Sequence, residues 1–265
     1  LYENELDMLV DVHKKNGKLL LRGVGGGREA IPLAQMGFKV TGVDYVAAMV
    51  ERAMENAARH GIKIEGLVQE ISQLDVAANT YDVVWLSSVA YSCIPTRARR
   101  VDMVRRVTRA LKPGGFFLCQ FHFEQGRKMK GKDESVRQMI AASGLGNRWY
   151  EEGDILWGNV EFLHVFTSED GIRSEIEEGG LSVVRIQTEI NPTRCGAVCR
   201  LTGGASAGIT TIARMPRRPA AQASAWAWLP EEKVMYGNRD KLKVLLFLWY
   251  IQALPSCPSQ NITGA

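Results

Sequence analysis

The sequence predicts an α/β fold, an open twisted sheet of parallel strands with helices packed against it. Two observations carry this. Apolar runs alternate with amphipathic stretches from residue 1 to 203, as strand-helix-strand units around a buried parallel sheet do. Glycine-rich joins punctuate that alternation, at 23–27, 37, 61, 112–115 and 179–180, where helices stop and turns start. Right-handed crossovers between such units then produce a twisted open sheet.

Each element follows in order. Lys18 to Leu21 is a short apolar strand that ends in Arg22-Gly23-Val24-Gly25-Gly26-Gly27, and Arg28 to Met36 carries Ala30, Ile31, Leu33 and Ala34 at helical spacing. Gly37 closes this helix. Phe38 to Val43 is the second strand, with Asp44 at its end, and Val46 to His60 is the next helix, stopped by Gly61. Ile62 to Val68 and Tyr81 to Leu86 are the third and fourth strands. Arg97 to Leu111 is a helix, Lys112-Pro113-Gly114-Gly115 a turn, and Phe116 to Phe121 the fifth strand.

From Glu124 to Thr167 the alternation lapses, which marks an insertion after the fifth strand. It holds a basic stretch (126 to 132), a short helix near Glu134 to Ala142 and a loop with two tryptophans. Ser168 then caps a helix with Glu169 and Asp170 in its first turn, ending at Gly179-Gly180. Leu181 to Gln187 and Gly196 to Leu201 are two more strands joined by an Asn191-Pro192 turn. After Gly203 the character changes to small residues, Met215-Pro216-Arg217-Arg218-Pro219 and an isolated apolar segment, so 204–265 reads as an atypical tail, docked or disordered.

Composition narrows the classes. With 265 residues, 46% hydrophobic and 23% charged, the chain is neither a disordered polymer nor a disulfide mini-scaffold. The longest apolar run, Val244 to Leu254, is shorter than the roughly 18 residues a membrane span needs, so no membrane association is expected. Five cysteines without a pairing pattern suit a reducing compartment, and no signal-like segment is visible near Leu1, which makes the cytoplasm the expected location. A net charge of +4 permits an anionic partner without requiring one.

The chemistry concentrates at the first strand-helix turn. Gly23, Gly25 and Gly27 let the backbone approach a ligand where side chains would block it, and the following helix directs its N-terminal amides there. Arg28 holds the sixth position, where a dinucleotide fingerprint has glycine. Asp44 lies 21 residues beyond Gly23, at a strand tip where a carboxylate accepts hydrogen bonds from ribose hydroxyls. A ribose-bearing cofactor is the favoured reading; a tight turn with a helix-capping Asp is the alternative.

Three stretches, LLLRGVGGGREAIPLAQMGFKVTGVDYVAAMVERA (19–53), YDVVWLSSVAYS (81–92) and RRVTRALKPGGFFL (105–118), followed by FLHVFTSEDGIRSEIEEGGLSVVRI (162–186), resemble the class I S-adenosylmethionine-dependent methyltransferases in motif, order and spacing over about residues 5–203. The resemblance implies a doubly wound, Rossmann-like, seven-stranded mixed sheet whose last two strands form a hairpin, making the final one antiparallel. It implies S-adenosyl-L-methionine as cofactor, with Gly23, Gly25 and Gly27 against its methionine part and Asp44 on its ribose. Tyr45 and Met49 would line the adenosine pocket, Glu70 and Ile71 reach the adenine edge, and Leu86 and Ser87 flank the methionine end. One departure stands out. Two residues before the first glycine the family usually has an acid, and this chain has Leu21, followed by Arg22. Arg28 is either a partner for the cofactor's carboxylate or a solvated helix residue.

Methyl transfer from a sulfonium is an in-line displacement, so the protein aligns the acceptor and, for oxygen or nitrogen acceptors, takes up a proton. His122, at the end of the fifth strand, and His164, in the insertion, are the candidate bases. Ser87 to Tyr91 lacks the Asn/Asp-Pro-Pro-aromatic motif of base-amine methylation. No Cys/His cluster forms a metal site. The expected activity is methyl transfer to a small-molecule acceptor, with the insertion 124–167 as a lid over the crevice and Trp149, Tyr150 and Trp157 as apolar walls. Three alternatives remain at this point: a non-catalytic binding protein, suggested by Leu21, a nucleic-acid methyltransferase using Arg97 to Arg109 and the basic stretch, and an oxidoreductase using NAD, which Arg28 at the sixth position disfavours.

Overall fold

The computed structural model describes residues 1–13, 16–127, 139, 149, 151–157, 160–188 and 192–202. The expected helix near 134–142, most of the basic stretch and the tail 204–265 lie outside the described residues. Leu1–Trp157 and Glu161–Gly204 form one compact unit.

Its elements run α1 (Glu3–Val10), β1 (Lys18–Arg22), α2 (Ala30–Gln35), β2 (Lys39–Asp44), α3 (Ala47–Arg59), β3 (Glu65–Val68), β4 (Tyr81–Leu86), α4 (Arg97–Ala110) and β5 (Leu111–Phe123). They continue with β6 (Asp154–Trp157), β7 (Val160–Phe166), α5 (Glu169–Glu178), β8 (Ser182–Gln187) and β9 (Cys195–Arg200). Helix α2 starts later than the spacing predicts, because residues 25–28 stay in the turn. Pro32, with no N–H to donate, sits in the first turn of α2, where that donor is spare. Ser168 caps α5 as expected, its Oγ accepting from the Gly171 N–H at 3.3 Å.

The sheet order is β3-β2-β1-β4-β5, all parallel. The outer edge of β5 is divided. Antiparallel β9 pairs with Phe116–Phe121, and parallel β7 takes over at His122 and Phe123. Strand β8 pairs with β9 in an antiparallel hairpin, so the seven expected strands are all present with the antiparallel final strand. Two further strands, β6 and β7, come from the insertion that the sequence reading treats as loop, and they make the sheet nine-stranded.

Period-two alternation sorts the core into two layers. Leu19, Leu21, Val83, Trp85, Phe116, Leu118 and Val198 face Met8, Leu33, Val50 and Ala53 on the side of α1, α2 and α3. Leu20, Val84, Leu86, Phe117, Cys119 and Phe121 face Met103, Val104, Val107, Ile172 and Ile176 on the side of α4 and α5. The whole of β4 is buried, which is why it reads as a continuous apolar run. Each large side chain sealed this way contributes about 1.5–3 kcal/mol.

Candidate active site

The site is assembled at the carboxyl ends of β1, β2 and β4, where ligands bind in doubly wound sheets. The backbone N–H groups of Gly23 and Val24 both donate to Val43 O, at 2.8 and 3.0 Å, tying the glycine turn to the end of β2. Gly23, Gly25 and Gly27 have φ of +80°, +49° and +89°, a region that costs an L side chain about 1–2 kcal/mol. Asp44 closes the arrangement. Its Oδ2 accepts from the Gly25 N–H at 3.0 Å and its Oδ1 from the Val46 N–H at 3.1 Å. The carboxylate is thereby fixed in orientation, with lone pairs left for ribose hydroxyls.

The chain after β3 folds back over this point. Gln69 N donates to Asp44 O at 3.0 Å, and the Gln69 amide clips Asp75 at 2.9 and 3.1 Å. Ile71 and Ser87 meet at the first glycine: a Cβ on Gly23 would lie 3.7 Å from Ile71 Cδ1 and 4.0 Å from Ser87 Oγ. A Cβ on Gly25 would meet nothing within 4 Å, so the backbone there faces open space. Tyr45 is exposed, Met49, Glu70 and Ile71 are half-buried, and Leu86 and Ser87 are buried. Glu70 accepts a hydrogen bond from Ser72 Oγ.

Leu21 and Arg28 are placed less openly. Leu21 is fully buried in the apolar layer with Met8, Val24 and Trp85. Arg28 forms a two-point ion pair with Glu5 of α1, at 2.9 and 2.6 Å, and a further one with Glu29, while its guanidinium stacks 4.4 Å from the Tyr2 ring. Burial works against the Arg28 charge, and Glu5 and Glu29 outweigh it, so its pKa is raised. In this arrangement Arg28 fastens α1 to the start of α2.

The two candidate histidines stand on opposite faces of the sheet. In β5, Gln120 and His122 alternate with Phe121 and Phe123, which belong to the α4–α5 layer, so both project toward the α1–α3 side. Gln120 Oε1 accepts from the Ser88 N–H at 2.9 Å, holding a residue whose φ of +57° is strained for a non-glycine. Steps therefore lead from Gly23 through Ser87 and Ser88 to Gln120, and two residues along the same face to His122. His122 is buried, with Nε2 2.7 Å from Glu124 Oε1. Its Nδ1 is buried and has no hydrogen-bond partner among the described residues.

His164 sits one residue before Val165, which pairs with His122, and so points the other way. Its ring stands edge-on to Phe166 at 4.8 Å and its Nδ1 lies 2.8 Å from Asp154 Oδ1. Asp154 Oδ2 accepts from the Glu151 N–H at 2.9 Å, and Glu151 Oε2 accepts from the Arg97 N–H at 2.7 Å. Beyond Glu151 lies Arg100, 1% exposed, with two contacts to Glu175 at 2.9 and 2.8 Å; Glu175 also accepts from Tyr91 Oη at 2.9 Å. Burial first, then Glu175, pushes the Tyr91 hydroxyl well above its ordinary pKa.

Sequence reasoning missed Gln120, Ser92, Glu124 beside His122, and the pairing of Asp154 with His164. The signal for Gln120 is its polar break in FFLCQFHF, in phase with His122. The arginines of α4 are engaged within the protein: Arg97 and Arg105 pair with Glu178, Arg106 with Asp102, Arg109 with Asp75, Arg100 with Glu175, and Arg99 stacks on Trp149. Among the described residues no helix is long and apolar enough to cross a membrane.

The turn and carboxylate fit a nucleoside cofactor: φ values that favour glycine, open space above Gly25 and an oriented Asp44. Residues 20–115 match the model of a methyltransferase domain. A ubiquinone biosynthesis O-methyltransferase of Methylobacterium sp. (strain 4-46) is 27% identical over 161 residues, 61% of this chain and 58% of that protein. One from Rickettsia conorii is 44% identical over 93 residues, 35% of this chain and 30% of its own. The chain thus spans less than two thirds of the length of the curated relatives it matches. Among solved structures, a SAM-dependent methyltransferase of Methanosarcina mazei superposes with a TM-score of 0.57 at 21% identity, covering 76% of this chain and 98% of that one. The CcbJ methyltransferase of Streptomyces caelestis gives 0.56 at 18%, covering 75% and 88%. These two likenesses concern the fold alone. With the motifs, the sheet order and the matched model in agreement, residues 20–115 carry a methyltransferase domain, and the fold around it is that of S-adenosylmethionine-dependent methyltransferases.

Proposed function

We propose that the protein transfers a methyl group from S-adenosylmethionine to an oxygen atom of a small-molecule acceptor in the cytoplasm. The observation that carries this is the Asp44 carboxylate, clamped by the Gly25 and Val46 amides beside a glycine turn that Ile71 and Ser87 border. The relatives named for O-methylation in ubiquinone biosynthesis support an oxygen acceptor. The internal pairing of the α4 arginines favours a small acceptor over a nucleic acid, since five of the six contact a carboxylate of this chain.

When bound, the cofactor supplies an electrophilic methyl carbon on a positively charged sulfur. Asp44 would hold the ribose, Gly23, Gly25 and Gly27 would admit the methionine part, Leu86 and Ser87 would flank it, and Tyr45, Met49, Glu70 and Ile71 would line the nucleoside. His122, in line with Ser88 and Gln120 on the glycine-turn side, is the group we assign to take the acceptor's proton; His164 serves the framework on the other face. Within 124–167, the expected lid, β6 and β7 join the sheet instead, and most of the remainder lies outside the described residues.

Calorimetry with S-adenosylhomocysteine tests it. The protein should bind, and Asp44→Ala should weaken binding by about 1.5–3 kcal/mol, the worth of hydrogen bonds to a charged group. A folded protein with no heat of binding would overturn the proposal, and an unchanged affinity in the variant would remove Asp44 from the site. A second reading, binding without turnover, is favoured by one observation: Leu21 seals with apolar residues the position where the family has an acid. Binding without methylation of any hydroxylated aromatic acceptor would support it.

A further inference from the structure

His122 has a carboxylate partner two residues along the chain, and that partner has a cation of its own. His122 Nε2 lies 2.7 Å from Glu124 Oε1, and Glu124 Oε2 accepts from Arg127 Nη1 at 2.6 Å. Burial opposes the ionisation of Glu124; the hydrogen bonds from His122 and Arg127 outweigh it and hold its pKa below the ordinary value. An ionised carboxylate only accepts, so Nε2 carries the imidazole proton and Nδ1 presents its lone pair. That Nδ1 is the buried atom left without a hydrogen-bond partner among the described residues. The strand is pinned at the same residue, because the His122 N–H donates to Ser92 Oγ at 2.8 Å.

We infer that Glu124, steadied by Arg127, is a positioning residue that fixes His122 in the Nε2–H tautomer and so makes Nδ1 the proton acceptor. The inference rests on the proposed methyl transfer. In that reaction the acceptor's O–H bond breaks and its proton goes to Nδ1, a C–O bond forms as the C–S bond breaks, and the bonding pair stays on sulfur. The imidazolium formed is then stabilised by Glu124 through Nε2–H, as a buried carboxylate stabilises the histidine of an acid-base dyad.

The charged groups on the elements packed nearby have partners of their own. The 3-10 turn Pro192–Arg194 packs on β5 and brings Arg194, whose guanidinium stacks 4.6 Å from the Tyr2 ring. From α1 comes Glu5, already paired with Arg28. From β7 come Leu163 and Val165, and from the segment after β4 comes Ser92, none of them charged. Glu124 is thus the described carboxylate in contact with the ring.

The test is a long-range proton–nitrogen correlation spectrum of the uniformly 15N-labelled full chain, recorded across pH with and without S-adenosylhomocysteine, with His122 assigned through His122→Asn. The neutral His122 should be the Nε2–H tautomer. Glu124→Gln, whose amide can donate as well as accept, should raise the share of the Nδ1–H tautomer, while the His164 signals stay in place. Arg127→Gln, which leaves the carboxylate, should retain the Nε2–H tautomer. A wild-type His122 that is predominantly Nδ1–H, or a tautomer ratio that Glu124→Gln leaves unmoved, overturns the inference. The wild-type tautomer decides the question even if the Glu124 variant does not fold. Failure to bind S-adenosylhomocysteine would instead strike the proposed function, and calorimetry on the same samples separates the two.

Discussion

The two faces of the sheet use charge differently. On the α1–α3 side, the cations of the Arg28–Glu5 and Arg127–Glu124 pairs are reachable from solvent. Arg28 is about a third exposed against Glu5, and Glu124 and Arg127 are similarly open. On the α4–α5 side, Arg100 and Glu175 are 1% and 4% exposed, and the polar chain from Tyr91 through Glu175, Arg100, Glu151 and Asp154 to His164 winds around Phe166. A partly wet pair is worth little energetically and can rearrange with a ligand, whereas a buried pair holds its groups in one arrangement and is costly to break. The first face is suited to binding, the second to fastening the insertion's strands to α4 and α5.

The sharpest way to break this distinction is Glu175→Ala. It leaves the Arg100 guanidinium and the Tyr91 hydroxyl buried with one carboxylate fewer, and a buried charge stripped of its partner costs about 3–5 kcal/mol. Urea denaturation should show a loss of that size, and the molecules that stay folded should bind S-adenosylhomocysteine as the wild type does. A loss below about 1 kcal/mol, the scale of an exposed pair, would mean the second face is no more sealed than the first.

The intermediate case lies on the binding face. Gly27 has φ +89°, and a Cβ there would come within 3.4 Å of the Ala53 backbone. Gly27→Ala should cost about 1–2 kcal/mol from the left-handed backbone. Unlike the Glu175 variant, it should also weaken S-adenosylhomocysteine, because the strain is relieved by moving the turn that carries the Gly25 N–H to Asp44. Equal affinities by calorimetry would detach the turn from the ligand.

How much of this was legible in the sequence depended on range. The glycine turn and Asp44 are read easily because their requirements are local: positive φ favours glycine, and a strand tip places the acid. The faces of the strands are also local, since FFLCQFHF already puts Gln120 and His122 opposite Phe121 and Phe123. Arg100 is hidden among six arginines that together suggest a nucleic-acid face, although its spacing to Met103, Val104 and Val107 is that of a core stripe; nothing local announces Glu175, 75 residues away. The surroundings of His164 are hidden for a related reason. Without β6 and β7, whose residues read as loop, neither its face nor its partner Asp154 can be found.

The smallest expected effect tests the pair of histidines directly. Asparagine reproduces the Nδ1 donor of histidine with an amide, so His164→Asn can keep the bond to Asp154 Oδ1 while losing the ring's packing on Phe166 and on Gly153, where a Cβ would come within 2.8 Å of His164 Cε1. Aromatic contacts of this kind add about 0.5–1.5 kcal/mol beyond burial, so a stability loss on the order of 1 kcal/mol is expected in denaturant titrations. Because His164 stands on the fastening face, cofactor affinity and the His122 tautomer should stay as in the wild type. A His164→Asn protein that is stable yet binds S-adenosylhomocysteine poorly would place His164 in the crevice, and the separation of the two faces would then fail at the strand ends.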